Sequence, residues 1–219
     1  MTRQSFDKEM EHLHTELIKM SALVENAIEM SIKALKNQDY SLAERIIDHD
    51  RDIDEMEKLI ERKCLELILR QQPVARDLRM VSTALKMVTD LERVGDHASD
   101  ISEVVIRMKK DNDFRIIEHL PEMAKEAGQM VHNAVSAFVN EDVEQAKRVI
   151  ANDDVVDELF NKVKDEVAQW LRKSSDNSDQ MIDLLLIAKY FERIGDHAEN
   201  ICEWVEFRET GEYKELRML

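Results

Sequence analysis

The sequence predicts an all-α protein: two tandem three-helix bundles, six long antiparallel helices in all, related by an internal repeat. Three observations carry this. Asp90–Val105 returns one hundred residues later as Tyr190–Val205, with nine of sixteen aligned positions identical, where unrelated segments would share about one. Only four Gly and two Pro interrupt 219 residues, and 36% of the chain is charged, a composition of long helices rather than sheet. Apolar residues recur at helical spacing between short polar breaks. The repeat assigns residues 1–112 to one unit and 113–219 to the other.

The first helix is marked from Phe6 to Leu35 by Leu13, Leu17, Met20, Val24, Ile28 and Ile32. Asn37-Gln38-Asp39 breaks the pattern, and Asp39 suits the cap of the next helix. That helix turns Leu42, Ile46, Ile53, Met56, Ile60, Cys64 and Leu67 to the core and stops at Gln72-Pro73. Pro73 is expected in the first turn of the third helix, which runs to about Lys110. Asp111-Asn112-Asp113 is a polar break, and Pro121 opens a fourth helix through Val139. Asn140-Glu141-Asp142 then matches Asn37-Gln38-Asp39 at an offset of 103. The fifth helix spans about Asp142 to Arg172, Ser174–Asp179 is a loop, and the sixth ends near Gly211. Helices of ~30 residues are ~45 Å long, and short turns make neighbours antiparallel. Gly95 and Gly195 fall mid-helix, each costing roughly 1 kcal/mol relative to Ala. With Ala98 and Ala198 they form flat spots, which predict close approach of a neighbouring helix in preference to a hinge.

The net charge of −16 and pI of 4.9 argue against a direct nucleic-acid partner. Multivalent cations and basic protein surfaces fit better. The N-terminus is charged from the start and has no apolar signal core. Met181–Ala188, the longest apolar run, holds Asp183 and falls far short of the ~20 residues of a bilayer span. Membrane association would be peripheral, through partners. Cys64 and Cys202 form no metal or redox spacing, which fits packed thiols in a reducing cytoplasm. The twelve Met residues read as core filler.

On a helical wheel Asp96, Asp100 and Glu103 fall within about 80° of Glu92, opposite Val94, Ala98, Ile101 and Val105. Asp50, Asp54, Glu57 and Glu61 make a similar stripe on the preceding helix, with nothing basic inside either stripe. Residues equidistant from a hairpin turn lie at one height. The pairs Asp54/Glu92 and Asp50/Asp96 both centre on residue 73, and Asp157/Glu192 and Asp153/Asp196 both centre between 174 and 175. Each repeat thus sets a D-x-x-x-D pair level with an E-x-x-x-D pair. Such carboxylates repel unless protonated or neutralised, and hard cations (iron, manganese, magnesium or calcium) are the natural neutraliser. Zinc fits poorly without converging Cys. The alternative is a solvated acidic surface. Candidate ligands are Asp50, Asp54, Glu92, Asp96 and Asp100 in the first repeat, and Asp153, Asp157, Glu192 and Asp196 in the second. Arg93 and Arg193 would hold carboxylates in place, and His97 and His197 would pack or hydrogen-bond to neighbours. Asp100, Glu57 and Glu61 become Asn200, Phe160 and Lys164, so the first site should bind more metal, or bind it more tightly.

Three features together are similar to the PhoU family of phosphate-transport regulators, over nearly the whole chain. They are Gln72-Pro73-Val74-Ala75-Arg76-Asp77-Leu78-Arg79, the twin E-R-V/I-G-D-H-A segments, and a D-x-x-x-D ahead of each. The resemblance implies two three-helix bundles related by a pseudo-twofold, and multinuclear metal clusters, iron in family members, at the acidic motifs. By it Asp50, Asp54, Glu92 and Asp96 make one site and Asp153, Asp157, Glu192 and Asp196 the other. It further implies a homodimer and a cytoplasmic role repressing phosphate-starvation signalling, through the phosphate ABC transporter and its sensor histidine kinase. The second repeat lacks the Gln-Pro-Val-Ala-Arg-Asp-Leu-Arg turn. Arg70, Arg76 and Arg79 cluster at the first hairpin tip. They are candidate contacts to an acidic loop or phosphate, against ordinary capping and solvation. The function read from this is a metal-binding regulatory adaptor and not an enzyme, since no Ser/His/Asp arrangement, phosphate-cradling Gly loop or activated Cys is evident. One alternative is a di-iron helical-bundle enzyme. That class needs two Glu-x-x-His motifs, and the one identified, Glu9–His12, lies far from the acidic stripes. The other is a helical scaffold without metal.

Overall fold

A computed structural model describes residues 3–108, 117–173, 178–214 and 216–217. It has six helices: α1 (Arg3–Asn37), α2 (Tyr40–Gln71), α3 (Arg76–Arg107), α4 (Leu120–Asn140), α5 (Val143–Lys173) and α6 (Ser178–Thr210). A two-residue hairpin, β1 (Glu212–Tyr213) with β2 (Leu216–Arg217), follows. The break at 111–113, the boundary between 112 and 113 and the loop residues 174–177 lie outside the described residues.

The duplicated turns are alike atom for atom. Gln38 and Glu141 adopt the left-handed conformation, at φ 51° and 56°. Asp39 N donates to Ala34 O, and Asp142 N to Ala137 O, both at 2.9 Å. Asp39 Oδ1 accepts from Leu42 N at 3.0 Å and Asp142 Oδ1 from Gln145 N at 2.9 Å. Each aspartate therefore caps the helix that follows, as its position predicts.

Two features differ from expectation. Pro73 lies in a turn and not in α3. Gln72 closes α2 at φ 47°, with its N–H on Ile68 O at 3.1 Å, and Ala75 at φ 48° delays the next helix to Arg76. α4 runs from Leu120 to Asn140, one residue beyond its expected span at each end, with Pro121 in its first turn as expected. Past Gly211 (φ 78°) the chain turns into the small hairpin, where Tyr213 stacks on Trp204 at 4.0 Å.

α1, α2 and α3 pack pairwise, and so do α4, α5 and α6. The two sets join through α3 on α6 and α1 on α4, so one apolar core runs through both. Cys64, Cys202, Met20, Met87 and Met123 lie in it. Burying each large side chain there contributes about 1.5–3 kcal/mol. α3 and α6 run antiparallel: Thr83 Oγ1 donates to Trp204 O at 3.2 Å at one end, and Arg107 pairs with Asp183 at the other. That ion pair explains a charge inside the apolar run 181–188. The equivalent residues His97 and His197 face each other at 5.6 Å, on the pseudo-twofold. Arg208 is 1% exposed: Nη1 donates to Phe138 O at 2.9 Å and Nε to Glu209 Oε1 at 3.2 Å.

Both mid-helix glycines mark close helix approach. A Cβ on Gly95 would lie 2.8 Å from Ile53 Cδ1 of α2, and one on Gly195 3.1 Å from Asp153 Oδ1 of α5. Gly95→Ala gains about 1 kcal/mol of helix propensity, while overpacking costs about 1–3 kcal/mol. The overpacking term should shrink in an Ile53→Val background, which lacks Cδ1. A double-mutant cycle by urea unfolding should give about 1 kcal/mol of coupling; strict additivity would mean that Ile53 does not set the requirement for glycine.

Candidate metal centre

The α2–α3 crossing at Gly95 brings the two acidic stripes together. Carboxylate oxygens of Asp50, Asp54 and Asp96 lie within 4.8 Å of one another, the one such group among the described residues. All three are half-buried. Burial first, and then Asp96, Asp54, Asp100 and Glu103, push the Asp50 carboxyl up to about 6. Glu92 is pushed up to about 7 by burial and by Asp96, against the pull of Arg93, with Glu57 and Asp54 adding to the rise. Glu92 Oε2 is buried and accepts no hydrogen bond; Arg93 Nε stands 3.4 Å away. Arg93 Nη1 donates to Asp96 Oδ2 at 2.8 Å, the bracing role its position predicts. Asp100 flanks the group and lies 3.3 Å from His97 Nδ1. Contrary to expectation a base reaches the stripe: Lys58 Nζ lies 3.4 Å from Asp54 Oδ2, one helical turn on.

In the second repeat burial, and then Glu199, Asp196, Asp157 and Glu192, push Asp153 up to about 7. Asp196 is raised by burial and Glu192, with Lys189 and His197 opposing. The predicted acids act on one another again, but among the described residues no three carboxylates of this repeat lie within 4.8 Å of one another. Lys189 binds Glu192 directly and lies 5.5 Å from the centre of the Phe160 ring. Thr89 and Glu57 hold the equivalent places in the first repeat, so a carboxylate there gives way to a tethered cation here. Two acids beyond the predicted set, Glu199 and Glu103, act on Asp153 and Asp50. Glu199 stands two helical turns after Glu192, on the same face, and Lys189 lies three residues before it. Both signals were present in the spacing. Lys214 was not legible, because the hairpin carries it to within 2.9 Å of Glu203.

The histidines behave as neighbours' partners: His197 Nδ1 lies 2.8 Å from Asp90 Oδ1. At the tip, Arg76 pairs within the chain, 3.1 Å from Glu141 and 3.5 Å from Glu209. Arg79 Nε donates to Arg208 O at 2.9 Å, and Arg70 lies 3.6 Å from Glu66. Capping and internal pairing account for all three. His12 is engaged by Lys63 at 3.1 Å and Glu16 at 3.4 Å. Contrary to the expected single motif, Glu11–His14 gives a second Glu-x-x-His spacing, but both lie on α1, where the di-iron class takes one from each of two helices.

The first cluster offers oxygen donors only, one of them a buried carboxylate oxygen without a hydrogen bond. That donor set fits a hard cation. Without one, protons must do the neutralising. Carboxyls raised in the folded chain hold protons that the unfolded chain releases. Their contribution to stability is full below about pH 4 and is lost as pH rises through about 6 for Asp50 and 7 for Glu92. Chelator-treated Asp50→Asn/Glu92→Gln should therefore unfold at higher urea than wild type at pH 8, with no advantage at pH 4. No gain at pH 8 would refute the electrostatic account.

The PhoU domain family model matches residues 17–105 and again 120–205. The chain is 37% identical to the phosphate-specific transport system accessory protein PhoU homolog of Clostridium acetobutylicum, covering 99% of both chains. It is 30% identical to PhoU of Escherichia coli, covering 94% of this chain and 86% of that one. The crystal structure of PhoU from Pseudomonas aeruginosa superposes with a TM-score of 0.90 at 29% identity, over 94% of this chain and all of that one. No described helix is long and apolar enough to cross a membrane. The chain belongs to the PhoU family.

Proposed function

We propose that this chain is a metal-binding regulator of phosphate uptake, acting in the cytoplasm as an adaptor between the phosphate transporter and the sensor histidine kinase of phosphate-starvation signalling. The convergence of Asp50, Asp54 and Asp96 within 4.8 Å, in a member of this family, carries the reading. Relatives are named as accessory proteins of phosphate-specific transport, which supports the transporter as a partner. Asp50, Asp54 and Asp96, with Glu92 and Asp100 beside them, would hold the cations of the first site. Asp153, Asp157, Glu192 and Asp196 would hold those of the second. A bound hard cation, iron first among them, supplies positive charge and accepts oxygen donors. The chain's own acids would then be held ionised at neutral pH, and α2 tied to α3.

The sites should differ, because Lys189 already offsets charge in the second. Elemental analysis and metal titration should show that Asp50→Asn/Asp54→Asn removes more metal, or tighter metal, than Asp153→Asn/Asp157→Asn. Lys189→Thr should raise the second site's affinity at least several-fold. Equal losses from the two double variants, with no effect of Lys189→Thr, would defeat the asymmetry; no metal in any form would leave a helical scaffold.

The adaptor reading is tested by affinity capture of the full chain from phosphate-replete and phosphate-starved cells. Transporter and kinase components should be retained in replete cells and depleted in starved ones. Retention of neither under either condition would overturn it.

A further inference from the structure

The acidic stripe of α6 is not a copy of the stripe of α3. Glu199 stands where the first repeat has Ser99, and Asn200 where it has Asp100, so one acid has moved back by one residue. At 100° per residue the move brings Glu192, Asp196, Glu199 and Glu203 within about 60° of one another, against about 80° from Glu92 to Asp100. The chain itself neutralises both ends of this stripe. Lys189 Nζ donates to both carboxylate oxygens of Glu192. Lys214, carried in by the hairpin, lies 2.9 Å from Glu203 Oε2. Between these ends, no hydrogen bond or ion pair from the described residues reaches the carboxylate of Asp196 or Glu199.

Asp153 of α5 faces this unclaimed middle. Its Oδ1 lies 3.1 Å from where a Cβ on Gly195 would stand, so the carboxylate rests against α6 at that residue. Asp196 follows Gly195 directly, and Glu199 comes four residues on, one turn along the same face. Burial first, and then charge, raises the Asp153 carboxyl to about 7; of the charges Glu199 acts most strongly, then Asp196 and Asp157, and Glu192 less than these. Asp157 is exposed, whereas its counterpart Asp54 is half-buried. The acids of the second repeat therefore press on one another further along α6, away from Lys189. In the first repeat Ser99 is buried and neutral, and Asp54 completes the close group instead. Asp153, Asp196 and Glu199 offer oxygen donors only, the set that suits a hard cation.

We propose that Glu199 is a ligand of the second cation site, taking the part that Glu192 would play if Lys189 did not hold it. The inference rests on the metal reading above and refines its second site. The test is made in an Asp50→Asn/Asp54→Asn background, so that the second site reports alone. The probes are Mn²⁺ and, anaerobically, Fe²⁺, followed by titration calorimetry. Glu199→Gln should weaken binding about tenfold or more, at least the cost of losing an outer-sphere partner. Glu192→Gln should weaken it by less than about threefold. With Lys189→Thr added, Glu192 is released, and Glu192→Gln should then cost several-fold more than before. Lost binding is told from lost fold by urea unfolding in chelator. There Glu199→Gln should be no less stable than the background, because it removes the charge that bears hardest on Asp153. Glu192→Gln costing as much as Glu199→Gln with Lys189 in place overturns the proposal and leaves the metal reading standing. A background protein that binds neither ion, beside a wild type that does, removes the second site and this proposal with it. A wild type that binds neither removes the metal reading itself.

Discussion

Everything else in this molecule depends on two helix crossings from which side chains have been removed. At Gly95 and at Gly195 an outer helix comes so close to an inner one that a Cβ would meet Ile53 or Asp153. Each glycine costs its helix about 1 kcal/mol. The close approach sets acidic stripes face to face and takes them halfway out of water. Two carboxylates about 5 Å apart at an effective dielectric near 20 repel by about 3 kcal/mol. Three mutual pairs would approach the whole stability of an ordinary domain, about 5–15 kcal/mol. A crossing this tight therefore demands a neutraliser, either a proton or a cation. The raised carboxyls of Asp50, Glu92 and Asp153 are the same demand seen from the proton's side.

Much of this was legible in the sequence because the signals are local or symmetric. The cap aspartates, the glycine positions and the level pairing of Asp50 with Asp96 all follow from counting along helices. The turn after Gln72 was not, because Pro73 satisfies a helix start as well as a turn. Only the left-handed Gln72 and Ala75 decide between them. Arg76 and Arg79 at the tip were equally ambiguous: their partners Glu141, Glu209 and the Arg208 carbonyl come from the other repeat. Buried Arg208 and the hairpin lysine Lys214 could not be found by periodicity, since tertiary packing alone assigns them partners.

Duplication lets the two halves act as controls for each other. Where both repeats keep a feature, the fold is the simplest reason; the turns at Gln38 and Glu141 and the two glycines are of this kind. Where they diverge in chemistry on the same backbone, the fold cannot be the reason. Glu57 against Phe160, Thr89 against Lys189, and Leu42 against Gln145 are of that second kind. The first two place the less compensated acid cluster in the first repeat, and the third makes the space between its first two helices more apolar.

The layout also limits how such a protein could transmit a signal. α3 with α6 and α1 with α4 share one continuous core, so the two bundles cannot swing independently without exposing it. α2 is different: its main packing is on α1 and α3 of its own bundle. It carries Asp50 and Asp54 of the carboxylate cluster, and Asp50 also lines the cavity between α1 and α2. As proposed, a cation held between α2 and α3 would act on a rod that makes no main contact with the other bundle. A small shift of that rod against a fixed core is a more economical route from ion to partner than any motion of the bundles themselves.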